Sequence, residues 1–295
     1  MSAGVLVIDK PEGPTSHDIV ALARRRLQER RIGHCGTLDP MATGVLVLAV
    51  GAATRLVQYL TADEKQYDTT LRFGCTTDSY DRTGTVVAES DARPTRVAVE
   101  AALERFRGPI RQVPPPYSAK KIGGTRAYVL ARRGTDLGAR LAPVDVVVTA
   151  LTLTAFDGDT ATLRMTVSPG FYGRSLVHAL GAARGTGAVM TALRRTASGP
   201  FGVEGSVSMD ELATASAEAL VARLTPPAAL LPSVPALALD AAAATRARHG
   251  ADLPMPADWL AAPPLVRLID GRGGLVGLAV PGQAPGLLHP AVILG

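Results

Sequence analysis

The stretch GHCGTLDPMATGVLVLAVG, residues 33–51, sets one acid, Asp39, in a turn punctuated by Gly36, Pro40 and Gly44 that runs straight into an apolar segment. In such a turn an aspartate before proline more often caps its own backbone than reacts. The chemical alternative is a carboxylate that attacks an electrophilic carbon or removes a proton, and that group needs a cation beside it to stay ionised and aimed. Residue types alone do not choose between the two, and they do not say which arginine is the partner. Other reactive constellations are missing from the chain. No G-x-G-x-x-G follows the first apolar run, and neither a phosphate-binding G-x-x-x-x-G-K-[ST] loop nor a G-x-S-x-G elbow occurs. His17, His34, His178, His249 and His289 are scattered, and the adjacent His34 and Cys35 are not at a chelating spacing. The expectation is an activity that uses neither cofactor nor metal.

The elements that must hold such a loop follow from composition and periodicity. A chain of 295 residues, 47% apolar and 19% charged, suits one large or two unequal globular domains. Its formal charge of +5 permits a polyanionic partner without requiring one. Cys35 and Cys75 belong to no C-x-x-C pair, and no run has the form of a leader or of a membrane span of roughly 20 residues, so a cytoplasmic monomer with reduced thiols is expected.

GVLVID at 4–9 reads as a buried strand ending in a Pro-Gly turn, with Lys10 at its end; Ser16 reads as the cap of the helix that follows. KQYDTTLRF alternates, putting Tyr67, Thr69, Leu71 and Phe73 on one face. A helix from Thr95 is expected to stop at Gly108 and Pro109. RQVPPPYSAKKIGGTRAYVLARRG at 111–134 combines a proline-rich loop with Lys120, Lys121, Arg126, Arg132 and Arg133 and with Tyr117 and Tyr128 among them, a composition that suits a nucleic-acid contact and a solvated loop about equally. VDVVVTALTLTAFDGDTATLRMTVS predicts two strands around an Asp-Gly turn. Residues 170–201 predict helical patches broken by glycines, and 209–224 one helix capped by Ser208. A proline-rich stretch at 226–235 marks a boundary between domains 1–230 and 231–295. Strands mixed with helices and antiparallel hairpins predict an α+β fold.

The opening stretch resembles the signature loop of the pseudouridine synthases of the TruB class. GVLVIDKPEGPTSHDIV, KQYDTTLRFGCTTDSYDRTG, VPPPYSAKKIGGTRAY, GFYGRSL and ALRRTASGPF resemble that family's further motifs in order, over most of residues 4–205. The resemblance implies a mixed, largely antiparallel sheet with flanking helices, an RNA-gripping insertion at about 112–142, and a small C-terminal β-rich domain of PUA type that binds RNA. It implies conversion of a uridine in the T-loop of tRNA, position 55, to pseudouridine, with the T-arm as partner. It implies a catalytic role for Asp39, an aromatic beside the target base at Tyr67, and the carboxylate's partner at Arg174, which keeps Asp39 ionised. Substrate contacts fall on Lys10, His34, Tyr172, Asp81 and Leu193, and His34 fills the space left by the flipped base. Four positions depart from the family pattern. Gly173 replaces an aliphatic residue, His178 and Ala179 an Arg-Asp pair, and Val189 a histidine. Two other readings remain: an RNA-folding factor in which catalysis is secondary, and an aspartyl-phosphate loop. The latter would lack an acid where Met41 stands.

Overall fold

The computed structural model describes residues 3–259, 261 and 263–294. The first apolar run forms β1 (Gly4–Lys10), and α1 (Ser16–Leu27) follows it. The cap of α1 is Thr15, not Ser16. Its hydroxyl accepts from the Asp18 N–H while the Asp18 carboxylate accepts from the Thr15 N–H, a reciprocal box. Ser16 is thereby released for a different contact.

β2 (Ile32–His34) enters the Asp39 loop, and β3 (Thr43–Val50) leaves it, almost wholly buried. After α2 (Val57–Thr61), the alternation in β4 (Lys65–Phe73) buries Thr69, Leu71 and Phe73 and leaves Tyr67 half-buried. β5 (Cys75–Thr77) and β6 (Val86–Glu89) flank a polar turn. α3 (Arg96–Leu103) ends early, so that Gly108 and Pro109, expected as its stop, instead open β7 (Gly108–Gln112) at the sheet's edge. The insertion follows with β8 (Lys121–Ile122), β9 (Thr125–Arg126) and α4 (Ala127–Arg132), packed around its own Ala127, Leu137 and Leu141. β10 (Val144–Asp157) and β11 (Thr160–Val167) are the hairpin that Asp157-Gly158 signals.

The largest departure from expectation lies next. Only α5 (Gly173–Ala183) is helical, with Arg174 in its first turn, while the ALRR segment becomes β12 (Ala188–Ser198). Alanine, leucine, methionine and arginine favour helices, but β12 is buried between β3 and β4, and pairing on both edges overrides propensity. After β13 (Phe201–Gly202), the single helix expected from Ser208 is two, α6 (Met209–Thr214) and α7 (Ala217–Ala222), because Ser216 caps the latter by accepting from the Ala219 N–H.

Among the described residues the main sheet runs β1-β3-β12-β4-β11-β10-β7, with β2 and β13 paired at its side. Every pairing is antiparallel except β3 with β12, which gives the mixed α+β architecture expected. The remaining chain, β14 (Ala236–Leu239), α8 (Ala241–Arg248), β15 (Leu253–Pro254), β16 (Val266–Asp270), β17 (Leu275–Pro281) and β18 (Leu287–Ile293), builds a separate five-stranded sheet. Leu239, Leu268, Ala279 and Leu288 form its core, and Leu278 joins Val5, Val45 and Val47 in an apolar cluster shared with the main body.

One glycine decides how closely β3 and β12 approach beside the Asp39 loop. Gly44 has φ 97°, and a Cβ there would lie 2.1 Å from the Arg195 carbonyl oxygen. Gly44→Ala is expected to lose at least roughly 1–3 kcal/mol from backbone strain alone, measured by urea denaturation.

Candidate active site

The loop that carries Asp39 is fastened from three sides. Lys10, at the end of β1, has none of its surface exposed, and its ammonium donates to the carbonyls of Pro11 at 2.9 Å, Pro40 at 3.1 Å and Ala42 at 2.6 Å. Arg195, on β12, donates Nε to the Val45 carbonyl at 2.6 Å and Nη2 to that of Gly36 at 3.1 Å. Ser16 both donates to the Leu38 carbonyl and accepts from the Leu38 N–H, one residue before Asp39. Two buried cations thus bind backbone carbonyls in place of water, as buried charges must find partners.

Asp39 itself meets Arg174. The Nη2 of this buried arginine lies 3.0 Å from one Asp39 carboxylate oxygen and 2.9 Å from the other, and it also donates to the Tyr117 carbonyl at 3.0 Å. Nη1 donates to the Ser79 carbonyl at 3.2 Å and stands 3.4 Å from Asp81. Asp81, only 4% exposed, is held in turn by the Ser79 hydroxyl, the Thr83 N–H and the Thr83 hydroxyl. The N-terminus of α5 is set by Gln112, whose side-chain oxygen accepts from the Tyr172 N–H and whose amide donates to the Tyr172 carbonyl; Ser175 donates to the Val113 carbonyl.

Burial pushes the Asp39 carboxyl above the usual aspartate range, Arg174 pulls it back, and the negative charge of Asp81 adds to the rise. The balance differs from what an arginine neighbour alone would give, because desolvation outweighs the ion pair. The side chain keeps 32% of its surface open to the cavity, so water still reaches it. A carboxylate with raised proton affinity is a stronger base and nucleophile than an ordinary one.

Above Asp39 opens a cavity of about 260 Å³, lined also by Tyr67, Tyr172, Arg174 and Leu193. Tyr67 and Leu193 each pack against two apolar clusters of the main body, which fixes the cavity's apolar wall. Lys10, His34 and Asp81 do not line it. Lys10 and Asp81 face its supporting loop and arginine instead, while His34 stands edge-on to His17, with centroids 5.3 Å apart, and keeps a buried Nδ1 without a partner among the described residues. Lys120, Lys121, Arg132 and Arg133 stand exposed on the insertion, in no ion pair among the described residues, with Arg132 over the ring of Tyr128. Among the described residues no group of three or more His, Cys, Asp or Glu is placed to hold a metal.

Four contributors lie inside the quoted motifs without being singled out there as site residues. Arg195 and Lys65 line the cavity, and Ser118 and Ala119 bring the insertion to its rim. Lys65 donates to the carbonyls of Thr61 and Asp63. A buried cation bound to carbonyls has no periodic signature; its role depends on the backbone path of other segments.

Lys10 gives a pH test of the loop's fastening. Burial pushes its ammonium down to about 8 from 10.5, with Asp39 opposing. Between those values the unfolded chain holds the proton that the folded chain has released, so this lysine makes stability rise with pH across the window. Lys10→Met, which leaves carbonyls unpaired, is expected to cost about 1–3 kcal/mol at pH 7. It should also remove the rise between pH 8 and 10.5 in urea denaturation; a variant that kept the rise would assign it to another group.

Comparison with known proteins bears on this geometry. Residues 24–173 match the model described as TruB family pseudouridylate synthase (N terminal domain), and residues 174–231 match that of the tRNA pseudouridylate synthase B C-terminal domain. The protein named tRNA pseudouridine synthase B of Solibacter usitatus is 43% identical, with 99% of each chain covered. That of Symbiobacterium thermophilum is 44% identical over 84% of this chain and 82% of its own. Among solved structures, an H/ACA RNP bound to a substrate RNA containing 2′-deoxyuridine aligns with TM-score 0.75 and 25% identity, over 99% of this chain and 85% of that one. A Cbf5-Nop10-Gar1 complex gives 0.75 and 26% over the same shares. Identity above 40% along nearly the whole length, with the fold kept in more distant structures, leaves one assignment: the chain belongs to the TruB family of pseudouridylate synthases.

Proposed function

We propose that this chain isomerises a uridine in tRNA to pseudouridine, at position 55 of the T-loop, as an intramolecular transferase that needs no cofactor. The observation that carries the reading is the Asp39 carboxylate, held against Arg174 at the floor of a cavity walled by Tyr67 and Leu193. The relatives named tRNA pseudouridine synthase B support tRNA as the substrate.

The chemistry accounts for these residue types. A uridine in a folded loop must be extruded to be reached, at a cost of roughly a few kcal/mol. The ring of Tyr67 and the side chain of Leu193 receive the base, and His34 fills the gap it leaves. Asp39 either attacks C1′ or takes the C2′ proton, and the N1–C1′ bond breaks. The freed uracil turns and C5 bonds to C1′, which on the first route releases the Asp39 carboxylate and on the second is accompanied by return of the proton from Asp39 to C2′. C5 gives up its proton and N1 gains one, so the product has the atoms of the substrate. Arg174 keeps Asp39 aimed at the ribose, and Asp81 holds Arg174.

The grip on RNA is assigned to the insertion. Residues 112–142 contain six cations, Lys120, Lys121, Arg126, Arg132, Arg133 and Arg140, against the single acid Asp136, a balance equal to the whole chain's formal charge of +5. A polyanion would find its excess of cations there. Within this reading residues 1–230 form the catalytic domain, and 231–295 form a further RNA-binding unit of PUA type. The separate C-terminal sheet and its own core support that division. The protein acts as a monomer in the cytoplasm.

Asp39→Asn is expected to abolish pseudouridine formation, read by mapping modified positions in tRNA, while tRNA affinity stays near that of the wild type. A variant that still isomerised would remove Asp39 from the chemistry, and a wild type that bound tRNA without modifying it would leave an RNA-folding factor. Replacing any one of Lys120, Lys121, Arg132 or Arg133 with alanine should weaken binding and make the slope of log affinity against log salt shallower by up to about one. An unchanged slope would make that residue a solvated surface cation.

A further inference from the structure

Tyr80 lies in the polar turn after β5, with φ 65°, a left-handed conformation uncommon for an aromatic residue. Strain of that kind persists only where the surroundings fix it. Here two contacts do so. The Tyr80 carbonyl accepts from the Met190 N–H of β12 at 3.1 Å, and the Tyr80 ring stacks on His178 of α5, with centroids 3.8 Å apart and planes 9° from parallel. The Nδ1 of His178 is buried with no hydrogen-bond partner among the described residues, and burial lowers the pKa of the ring. Stacking of a neutral imidazole therefore holds this contact, without help from a hydrogen bond at Nδ1.

The position of the stack gives it a consequence. His178 follows Arg174 by four residues on α5, which places both on one face of the helix. Tyr80 stands between Ser79 and Asp81, the two residues of the turn that meet Arg174 Nη1. The stack therefore fastens the turn that bears the acceptors to the helix that bears the donor. Neither ring lines the cavity, so neither is placed to touch a substrate there.

We propose that Tyr80 and His178 are positioning residues for the isomerisation, setting the distance between the polar turn and α5 and thereby the aim of Arg174 at Asp39. The proposal rests on the isomerase reading above.

The test uses the full chain and unmodified tRNA. His178→Ala and Tyr80→Ala should each lower kcat by between about 10- and 100-fold, the scale of a misplaced catalytic group, with KM for tRNA changed less than about twofold. His178→Phe, which restores a flat ring without imidazole nitrogens, should recover most of the loss. A further readout separates aim from general damage. Asp39 faces Arg174, Asp81 and Lys10, and Arg174 is the group that holds its proton affinity down most. Loosening Arg174 should therefore move the acid limb of kcat to higher pH in both alanine variants, whereas a merely less stable protein would lose amplitude with the limb unmoved. Wild-type kcat in both alanine variants, an unmoved acid limb, or a His178→Phe variant as slow as His178→Ala would each overturn the positioning role. A wild type that forms no pseudouridine would instead defeat the isomerase reading itself, and this inference with it.

Discussion

The guanidinium of Arg174 is the charge around which the rest of the site is arranged. Only 6% of the residue is exposed, so water offers it little, and it is satisfied instead by Asp39, Asp81 and the carbonyls of Ser79 and Tyr117. These partners come from the loop before β3, the turn after β5 and the insertion, segments far apart in sequence. A buried cation with an unfilled partner is strongly unfavourable. Misplacing any one of these segments therefore penalises the whole arrangement, and the sheet order that brings β3, β12 and β4 side by side becomes the arrangement that satisfies the charge.

The same logic explains why the Asp39 loop is held by cations that never touch its carboxylate. Lys10 and Arg195 bind carbonyls on either side of Asp39, which stiffens the loop through its backbone and leaves the acid with one guanidinium as its direct partner. Had either cation paired with Asp39 directly, the carboxyl would be drawn down towards or below the ordinary aspartate range. As built, burial dominates and the proton affinity is raised. Gly44 belongs to this scheme, since any side chain there would push β3 off Arg195 and loosen one of the two clamps.

What could be read from the sequence follows from where its patterns are simple. Strands with an uninterrupted apolar run or strict alternation, β1, β3 and β4, are legible, and so is the β10–β11 hairpin with its Asp-Gly turn. β12 is not, because its residues are good helix formers and its strand character comes from two neighbours that no local window contains. Two serines mislead in opposite directions. Ser16 has the sequence context of a cap and is a buried loop anchor, whereas Ser216 has that of a helix interior and is a cap. Asp39, Tyr67 and Arg174 are picked out by family resemblance, and the structure brings all three to one cavity. Arg195 and Lys65 carry no comparable mark, since a cation solvated by carbonyls depends on the backbone path of other segments.

The insertion and the ion pair are physically joined, which bears on how RNA binding and chemistry relate. The Tyr117 carbonyl accepts from the same Arg174 nitrogen that meets Asp39, and the Tyr117 hydroxyl donates to Asp78 in the turn that also holds Asp81. Just before it in the chain, Gln112 and the Val113 carbonyl secure the first turn of α5. The segment that carries the chain's excess positive charge is thus bonded to both sides of the site. A polyanion that ordered or shifted the insertion would change the hydrogen bonding of Arg174, and through it the proton affinity of Asp39. In this geometry the proposed grip on RNA and the proposed chemistry are coupled through one guanidinium, and that coupling needs no rearrangement of the sheet.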